Sequence, residues 1–190
     1  MITTVTIFIP LLGAIVMLLL PEEERILRYA ALGIAAVPLL LTLYVYFAFG
    51  SDLGAAALTQ DFTWIQSLDM GYRVGLDGLG FGMFFLTALL TLIAVVASFD
   101  VRENLKQYFA ILFVAEVGML GVFASEDLIL FYIFFEITLI PMYLLVGIWG
   151  DENRRQAAIK FLSTPFSAPR SCWPAFSRSA SSPAPTRWSR

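Results

Sequence analysis

The sequence has no histidine and a single cysteine, Cys172, in 190 residues. The common zinc sites, haem ligation and iron–sulfur ligation therefore lack ligands. Charged residues make up only 14% of the chain, with 12 Lys+Arg against 15 Asp+Glu, and no basic patch favours nucleic-acid binding. We expect no metal site and no cofactor in this chain, so the redox centre of any enzyme that contains it would lie in another subunit.

Apolar residues make up 59% of the chain, compared with roughly 45–50% in soluble domains. They form five blocks, each close to the roughly 20 residues that a helix needs to cross a bilayer, at 2–20, 29–50, 79–99, 108–124 and 128–149. The sequence therefore predicts an all-α polytopic membrane helix bundle with five transmembrane helices in a lipid bilayer. No basic residue precedes the first block, which favours a retained helix over a cleaved signal.

Basic residues in the connecting segments predict the orientation of the helices. One set of alternate loops has seven of them, Arg25, Arg28, Arg102, Lys106, Arg154, Arg155 and Lys160, and the other set has Arg73 alone. The N-terminus is thus predicted on the non-cytoplasmic side. Lys160 fits either this topological role or the start of a sixth helix.

The loop between the second and third blocks has two readings. Residues 61–66 and 71–75 alternate like strands around a turn, which predicts a small hairpin. An interfacial loop anchored by Trp64 and Tyr72 fits equally well.

Glu136 lies eight residues into the fifth block, roughly 12 Å from its outer end at about 1.5 Å per residue. An ionisable group near the middle of a bilayer costs at least about 2.5–3.5 kcal/mol, so a functional role is the first hypothesis. Pro141 follows five residues later and frees a backbone carbonyl. A carboxylate beside such an irregularity predicts a proton or cation site, although a neutral glutamate bonded between helices is the alternative.

Glu116 lies at a similar depth in the fourth block, because the two blocks would be antiparallel across a short loop. A coupling role and a tolerated interhelical hydrogen bond both fit, and Gly118 and Gly121 nearby suit plain close packing. Asp127 is predicted only to cap the fifth helix. Arg102, Lys106, Arg154 and Arg155 are interpreted as topology and headgroup residues.

Several stretches of residues 1–162 resemble a known family. They are GLDGL at 75–79, SEDLILFY at 125–132, FEITLIPMY at 135–143 and GIWG at 147–150. Together they resemble the chain M family of proton-pumping NADH:quinone oxidoreductase, respiratory complex I, whose members share an antiporter-like fold of about fourteen helices.

The resemblance implies proton translocation coupled to NADH oxidation by quinone, in the plasma membrane and beside other membrane-arm subunits. It implies that Glu136 is the proton-loading carboxylate, with Glu116 as a possible coupling carboxylate. The lysine that pairs with this glutamate in the family has no counterpart here. A multi-component sodium/proton antiporter subunit and an inert truncated membrane fragment are the alternatives.

The composition changes abruptly after Leu162. Residues 163–190 contain eight serines, five prolines, four arginines and no acidic residue. Such a tail is typical of disorder, but a one-base frameshift explains it better, because every serine codon of the form TCN, read one base earlier, encodes an apolar residue. We therefore divide the chain into an antiporter-like membrane part, 1–162, and a frameshifted tail, 163–190, with a genuine disordered basic tail as the alternative.

Overall fold

The computed structural model describes residues 2–49, 60–65, 70–101, 104–150 and 154–167. Five of its helices are long and apolar enough to cross a membrane, as the sequence predicts. They are α1 (Ile2–Leu19), α2 (Glu24–Phe49), α3 (Gly78–Ala97), α4 (Leu105–Ala124) and α5 (Leu128–Trp149). A 3-10 turn, Ser98–Asp100, extends α3, and a shorter helix, α6 (Arg154–Ser167), follows α5.

Two helices begin earlier than their apolar blocks. The α2 helix starts at Glu24, whose carboxylate pairs with Arg28 one turn later at 3.1 Å. The α4 helix starts at Leu105, and Lys106 in its first turn reaches Glu22 at 3.7 Å. Hydropathy locates the apolar part of a helix, whereas these polar first turns continue the helix beyond it.

Aspartates define the first residues of α3 and α5. The Oδ1 atom of Asp77 accepts a hydrogen bond from Gly80 N at 2.6 Å, and that of Asp127 accepts one from Ile129 N at 2.8 Å. Each bond satisfies an amide that the first turn of a helix leaves free. The capping role predicted for Asp127 is confirmed.

The loop between α2 and α3 contains the predicted hairpin. Strands β1 (Gln60–Ile65) and β2 (Met70–Val74) pair antiparallel, with an irregularity between Thr63 and Ile65. The side chain of Trp64 lies outside the described part. Tyr72, an interfacial anchor in the competing loop interpretation, bonds through its hydroxyl to Thr4 of α1 at 3.2 Å.

The hairpin is also bonded to the short α4–α5 connection. Gly75 N donates to Ala124 O at 2.8 Å, and Glu126 N donates to Arg73 O at 3.0 Å. Thr4 adds a bond to Gln60 Oε1 at 2.7 Å. The hairpin therefore fixes the start of α1 and the α4–α5 turn at one end of the bundle.

Two buried apolar clusters fill the bundle. The cluster next to the hairpin includes Ile7, Phe81, Phe84, Leu120 and Phe134. The cluster at the opposite end includes Met17, Leu27, Val95, Phe109 and Phe113. The α4 helix is the central helix of the bundle, because it contacts α1, α2, α3 and α5 and is the most buried of the five long helices.

Lys160 lies inside α6, which begins six residues earlier. The sixth-helix interpretation of this lysine is thus the one that the fold supports. The predicted change after Leu162 falls within α6, and residues 168–190 of the proposed tail lie outside the described part. The division at Leu162 stays a prediction.

Candidate functional site

The α4 and α5 helices run antiparallel and approach each other closely at two glycines of α4. A Cβ atom built on Gly118 would lie only 3.0 Å from the Thr138 backbone nitrogen, and one on Gly121 would overlap the Phe134 ring. These contacts pair the middle of α4 with the middle of α5. Glu116 and Glu136 therefore lie at a similar depth, as the sequence predicts.

The Glu116 side chain is fully buried, with 0% of its surface exposed. It lies three residues after Phe113 and four before Leu120, whose side chains pack in the two apolar clusters with residues of α1, α2 and α3. Neither carboxylate oxygen has a hydrogen-bond partner within the described residues. A carboxyl group is stable in an apolar interior only when it is protonated or when a cationic side chain from another helix pairs with it.

Glu136 is partly exposed rather than enclosed. It lies two residues from both Phe134 and Thr138, which contact α4, and two residues are about 200° around a helix. The carboxylate therefore lies on the side of α5 that faces away from α4. Tyr132 lies one turn earlier on the same side of α5, as a neighbour of Glu136 on the helix surface.

The two candidate carboxylates thus point in opposite directions from the α4–α5 contact. Gly118 contacts α5, and Glu116 is about 200° from it around α4. The structure brings the two residues to one depth but not into one site. Any coupling between them has to pass through the packed helices.

Pro141 does not break α5, which is a continuous helix from Leu128 to Trp149. Its ring is buried beside a cavity of about 390 Å³ between α1, α4 and α5, whose walls include Ala14 and Val114. Pro141 is about 140° around the helix from Glu136. Because proline has no N–H, the Ile137 carbonyl next to Glu136 lacks its helical donor, as the sequence predicts, whereas the Glu136 side chain is partly exposed rather than buried.

The basic residues make local contacts near helix ends. Lys106 pairs with Glu22, Arg28 pairs with Glu24, and an Arg154 guanidinium nitrogen donates to Ile148 O at 2.8 Å. Arg102 lies outside the described residues. The topological and headgroup role predicted for Lys106 and Arg154 stays a prediction.

Tyr132 is a polar neighbour of Glu136 that sequence reasoning missed. The signal was available, because a tyrosine four residues before a glutamate on a helix places the two side chains on one face. Sequence analysis did not single out Tyr132, because its neighbours are apolar and it resembles any other aromatic residue of a membrane helix.

Comparison with known proteins defines the class of this bundle. Residues 125–168 match the family described as NADH:quinone oxidoreductase/Mrp antiporter, transmembrane. The match includes the whole of α5 and Glu136. Over these residues the chain is similar to this family of membrane subunits, in agreement with the predicted resemblance.

Individual relatives show which kind of subunit within this class the chain resembles. The chain is 36% identical over 163 residues to NAD(P)H-quinone oxidoreductase chain 4, chloroplastic, from Anthoceros angustus, covering 84% of this chain and 32% of the relative. It is 33% identical over 167 residues to NADH-quinone oxidoreductase subunit M from Rickettsia bellii, covering 84% and 34%. The chain thus spans about a third of the length of these relatives.

A solved structure agrees with these relatives. The fold matches a chain of respiratory complex I from Thermus thermophilus with bound NADH, with a TM-score of 0.71 and 28% identity, over 85% of this chain and 32% of that one. The chain is therefore similar to subunit M, also named chain 4, over part of that subunit's length.

Proposed function

We propose that this chain is part of a membrane-arm subunit of an NADH:quinone oxidoreductase, and that it contributes to proton translocation coupled to electron transfer from NADH to quinone. The observation that carries the proposal is the Glu136 carboxylate, which lies midway along α5 on a side that α4 leaves uncovered. Its helix lies within the segment that matches the family. The relatives of this chain are named as subunits of such enzymes.

Glu136 has the role of proton-loading carboxylate in this proposal. Its charge can be compensated in turn by a proton and by a cationic partner, and motion of that partner would load and release the proton. Glu116 is a possible coupling carboxylate, because a charge there would act on the packing of α4 with α2 and α3. The chain itself holds no cofactor in this proposal, and the redox chemistry belongs to other subunits.

The proposed partners are the other membrane-arm subunits and the lipid bilayer. The proposed location is the plasma membrane, with the N-terminus on the non-cytoplasmic side, supported by seven basic residues against one in the alternating loops. Single cysteines at Thr4 and at Glu23, each in a Cys172→Ser background, test the orientation. We expect an impermeant maleimide to label the first from outside intact cells and not the second, and the reverse pattern would overturn it.

Membership of the enzyme is tested by purification. An affinity-tagged chain, extracted from its native membrane in mild detergent, should carry with it an activity that oxidises NADH and reduces a quinone. A tagged preparation without this activity, from membranes that possess it, would contradict the proposed assembly. It would favour the inert-fragment alternative.

A sodium/proton antiporter subunit is the second candidate, since the matched family includes Mrp antiporters. The two candidates differ in their driving reaction. Proton movement that requires NADH and a quinone supports the oxidoreductase, whereas proton movement driven by an imposed sodium gradient without NADH supports the antiporter.

A further inference from the structure

A polar cavity of about 320 Å³ lies at the end of the bundle away from the hairpin, where α1 ends and α2 and α4 begin. Its polar wall residues are Glu22, Glu24, Asn104, Lys106 and Gln107. The Lys106 side chain is about a quarter exposed, and its ammonium nitrogen is 3.7 Å from the nearest Glu22 carboxylate oxygen. Because this distance is longer than a hydrogen bond, the lysine can turn toward an anionic group without losing a strong contact.

The polar cavity opens into the apolar cavity beside Pro141, since Leu18 of α1 and Gln107 of α4 line both. From there the apolar cavity follows α1 as far as Leu11 and α4 as far as Val114. Seven residues of helix extend about 10 Å. The two cavities therefore form one continuous groove, which is polar at the helix ends and apolar along the membrane-spanning part.

The apolar cavity has a floor of small buried residues and a rim of large exposed ones. Ala14 and Ala110 are 4% and 6% exposed, whereas Ile15 and Ile140 are 50% and 62% exposed. Among the described residues that line it, every side chain except that of Gln107 is apolar. A hydrocarbon chain fits these walls, and a polar ligand would lose its hydration without compensation.

We propose that the groove binds one phospholipid whose headgroup has a phosphate and a primary ammonium, with an acyl chain in the apolar cavity. Arg28 already pairs with Glu24, so Glu22 and Lys106 are left to face the headgroup with one charge of each sign. The lysine has three donors, enough for the phosphate as well as Glu22. The lipid ammonium would pair with the Glu22 carboxylate, so that the charges alternate.

This charge pattern distinguishes one headgroup from others. A choline headgroup has no N–H to donate to Glu22, and an anionic glycerol headgroup has no cation for it. An apolar helix from another subunit would cover the apolar cavity but would leave the charged wall of the polar cavity without a complement. The lipid site is independent of the proposed function, because it involves neither Glu136 nor proton transfer.

Photoaffinity labelling tests the proposal without enzyme turnover. The probe is a phosphatidylethanolamine with a photoreactive group at the end of one acyl chain. The purified full chain is labelled in nanodiscs that consist mainly of phosphatidylcholine, and mass spectrometry locates the label. We expect label on the walls of the apolar cavity, at 11–15 and 140–144, and stronger competition from unlabelled phosphatidylethanolamine than from phosphatidylcholine or phosphatidylglycerol.

A bulky residue at the rim should exclude the acyl chain. We expect Ile15→Trp to lower labelling of the apolar cavity at least about fivefold, because the indole overpacks the space that the chain needs. Ile93→Trp on α3 is the matched control, since Ile93 is 52% exposed and does not line the cavity. Equal losses in both variants would contradict the site.

The headgroup contacts are tested separately. We expect Lys106→Gln to weaken binding of the probe on the order of tenfold, the effect of losing a hydrogen bond to a charged group, and Lys106→Arg to retain most of it. Glu22→Gln should reduce the preference for ethanolamine over choline about two- to fivefold, as for an exposed ion pair. Glu23→Gln, at the neighbouring acid outside the cavity wall, should leave the preference unchanged.

Label spread evenly over the exposed helix faces, or equal competition by the ethanolamine and choline lipids, would overturn the proposal. The labelling is repeated in native membranes, where partner subunits are present. Label that is absent from the apolar cavity there, and lies on another subunit instead, would also overturn it and would identify a protein helix as the occupant. Thermal unfolding checks that each variant is folded, and the lipid competition on the unaltered chain decides the matter if Ile15→Trp is not.

Discussion

Gly118 of α4 lies directly against Thr138 of α5, so that a methyl group at position 118 would lie 3.0 Å from the Thr138 backbone nitrogen. The Thr138 hydroxyl also lies close to position 118. It donates a hydrogen bond to Phe134 O at 2.9 Å. The contact sets the separation and register of the two helices. It also fixes the directions of both candidate carboxylates, since each lies two residues from it.

Alanine at position 118 should therefore push α4 and α5 apart. We expect Gly118→Ala to lower the free energy of unfolding by about 1–3 kcal/mol, the usual cost of overpacking. The loss should appear although alanine is intrinsically the better helix former by about 1 kcal/mol. Thermal unfolding in detergent measures it. Gly82→Ala on α3 is the control, because nothing lies within 4 Å of its Cβ position and it should not destabilise; equal losses in both variants would contradict the close contact.

Glu116 should tolerate a neutral replacement and reject a cation. Because the side chain is buried without a partner, we expect Glu116→Gln to change the free energy of unfolding by no more than about 1 kcal/mol. Glu116→Lys should cost on the order of 3 kcal/mol or more, since it buries a larger group with an uncompensated charge. Glu23→Lys, at an exposed position, is the control. A stable Glu116→Lys variant would mean that water or a hidden partner reaches the site.

Tyr72 should make the docking of the hairpin sensitive to alkaline pH. Half-burial raises the pKa of Tyr72 above its ordinary value of 10.0, and the hydrogen bond with Thr4 acts in the opposite direction. A raised pKa in the folded state means that the folded chain holds the proton longer than the unfolded chain. The stabilisation is therefore complete below about pH 10 and is lost as pH rises through the raised value.

Hydrogen exchange of the β1 and β2 amides measures this dependence. Tyr72→Phe should lower hairpin protection by about 0.5–1.5 kcal/mol below pH 10, because Thr4 loses a partner. Tyr72→Phe should also abolish the further loss of hairpin protection that the wild type shows above pH 10. Tyr44→Phe, on an exposed face of α2, should do neither. Identical alkaline behaviour with and without Tyr72 would contradict the assignment.

The sequence predicted the helices better than the contacts between them. Apolar length located all five long helices, and Asp127 was correctly assigned as a cap because capping is a local property of the chain. The direction of Glu116, away from α5, was not predictable, since it depends on which face of α4 meets α5. That choice rests on the Gly118 contact with Thr138, which joins residues 20 positions apart in sequence.

The environment of Glu136 was predicted in part. Its depth followed from counting residues along α5, whereas its partial exposure was not predictable, because it depends on which side of α5 packs against α4. The hairpin was one of two equal alternatives, since strand-like alternation over a few residues is a weak signal. The antiparallel pairing of β1 with β2 decides between the alternatives.

The most direct test of the central claim is NADH-driven proton uptake by inverted membrane vesicles in which this chain is present in the assembled enzyme. We predict that Glu136→Gln lowers the uptake rate at least about tenfold, because a positioned proton-transfer group contributes roughly 10²–10⁴-fold. Glu23→Gln, at an exposed acid outside the membrane helices, should leave it unchanged. NADH-driven uptake that is equal in the Glu136→Gln vesicles and the wild type would contradict the account.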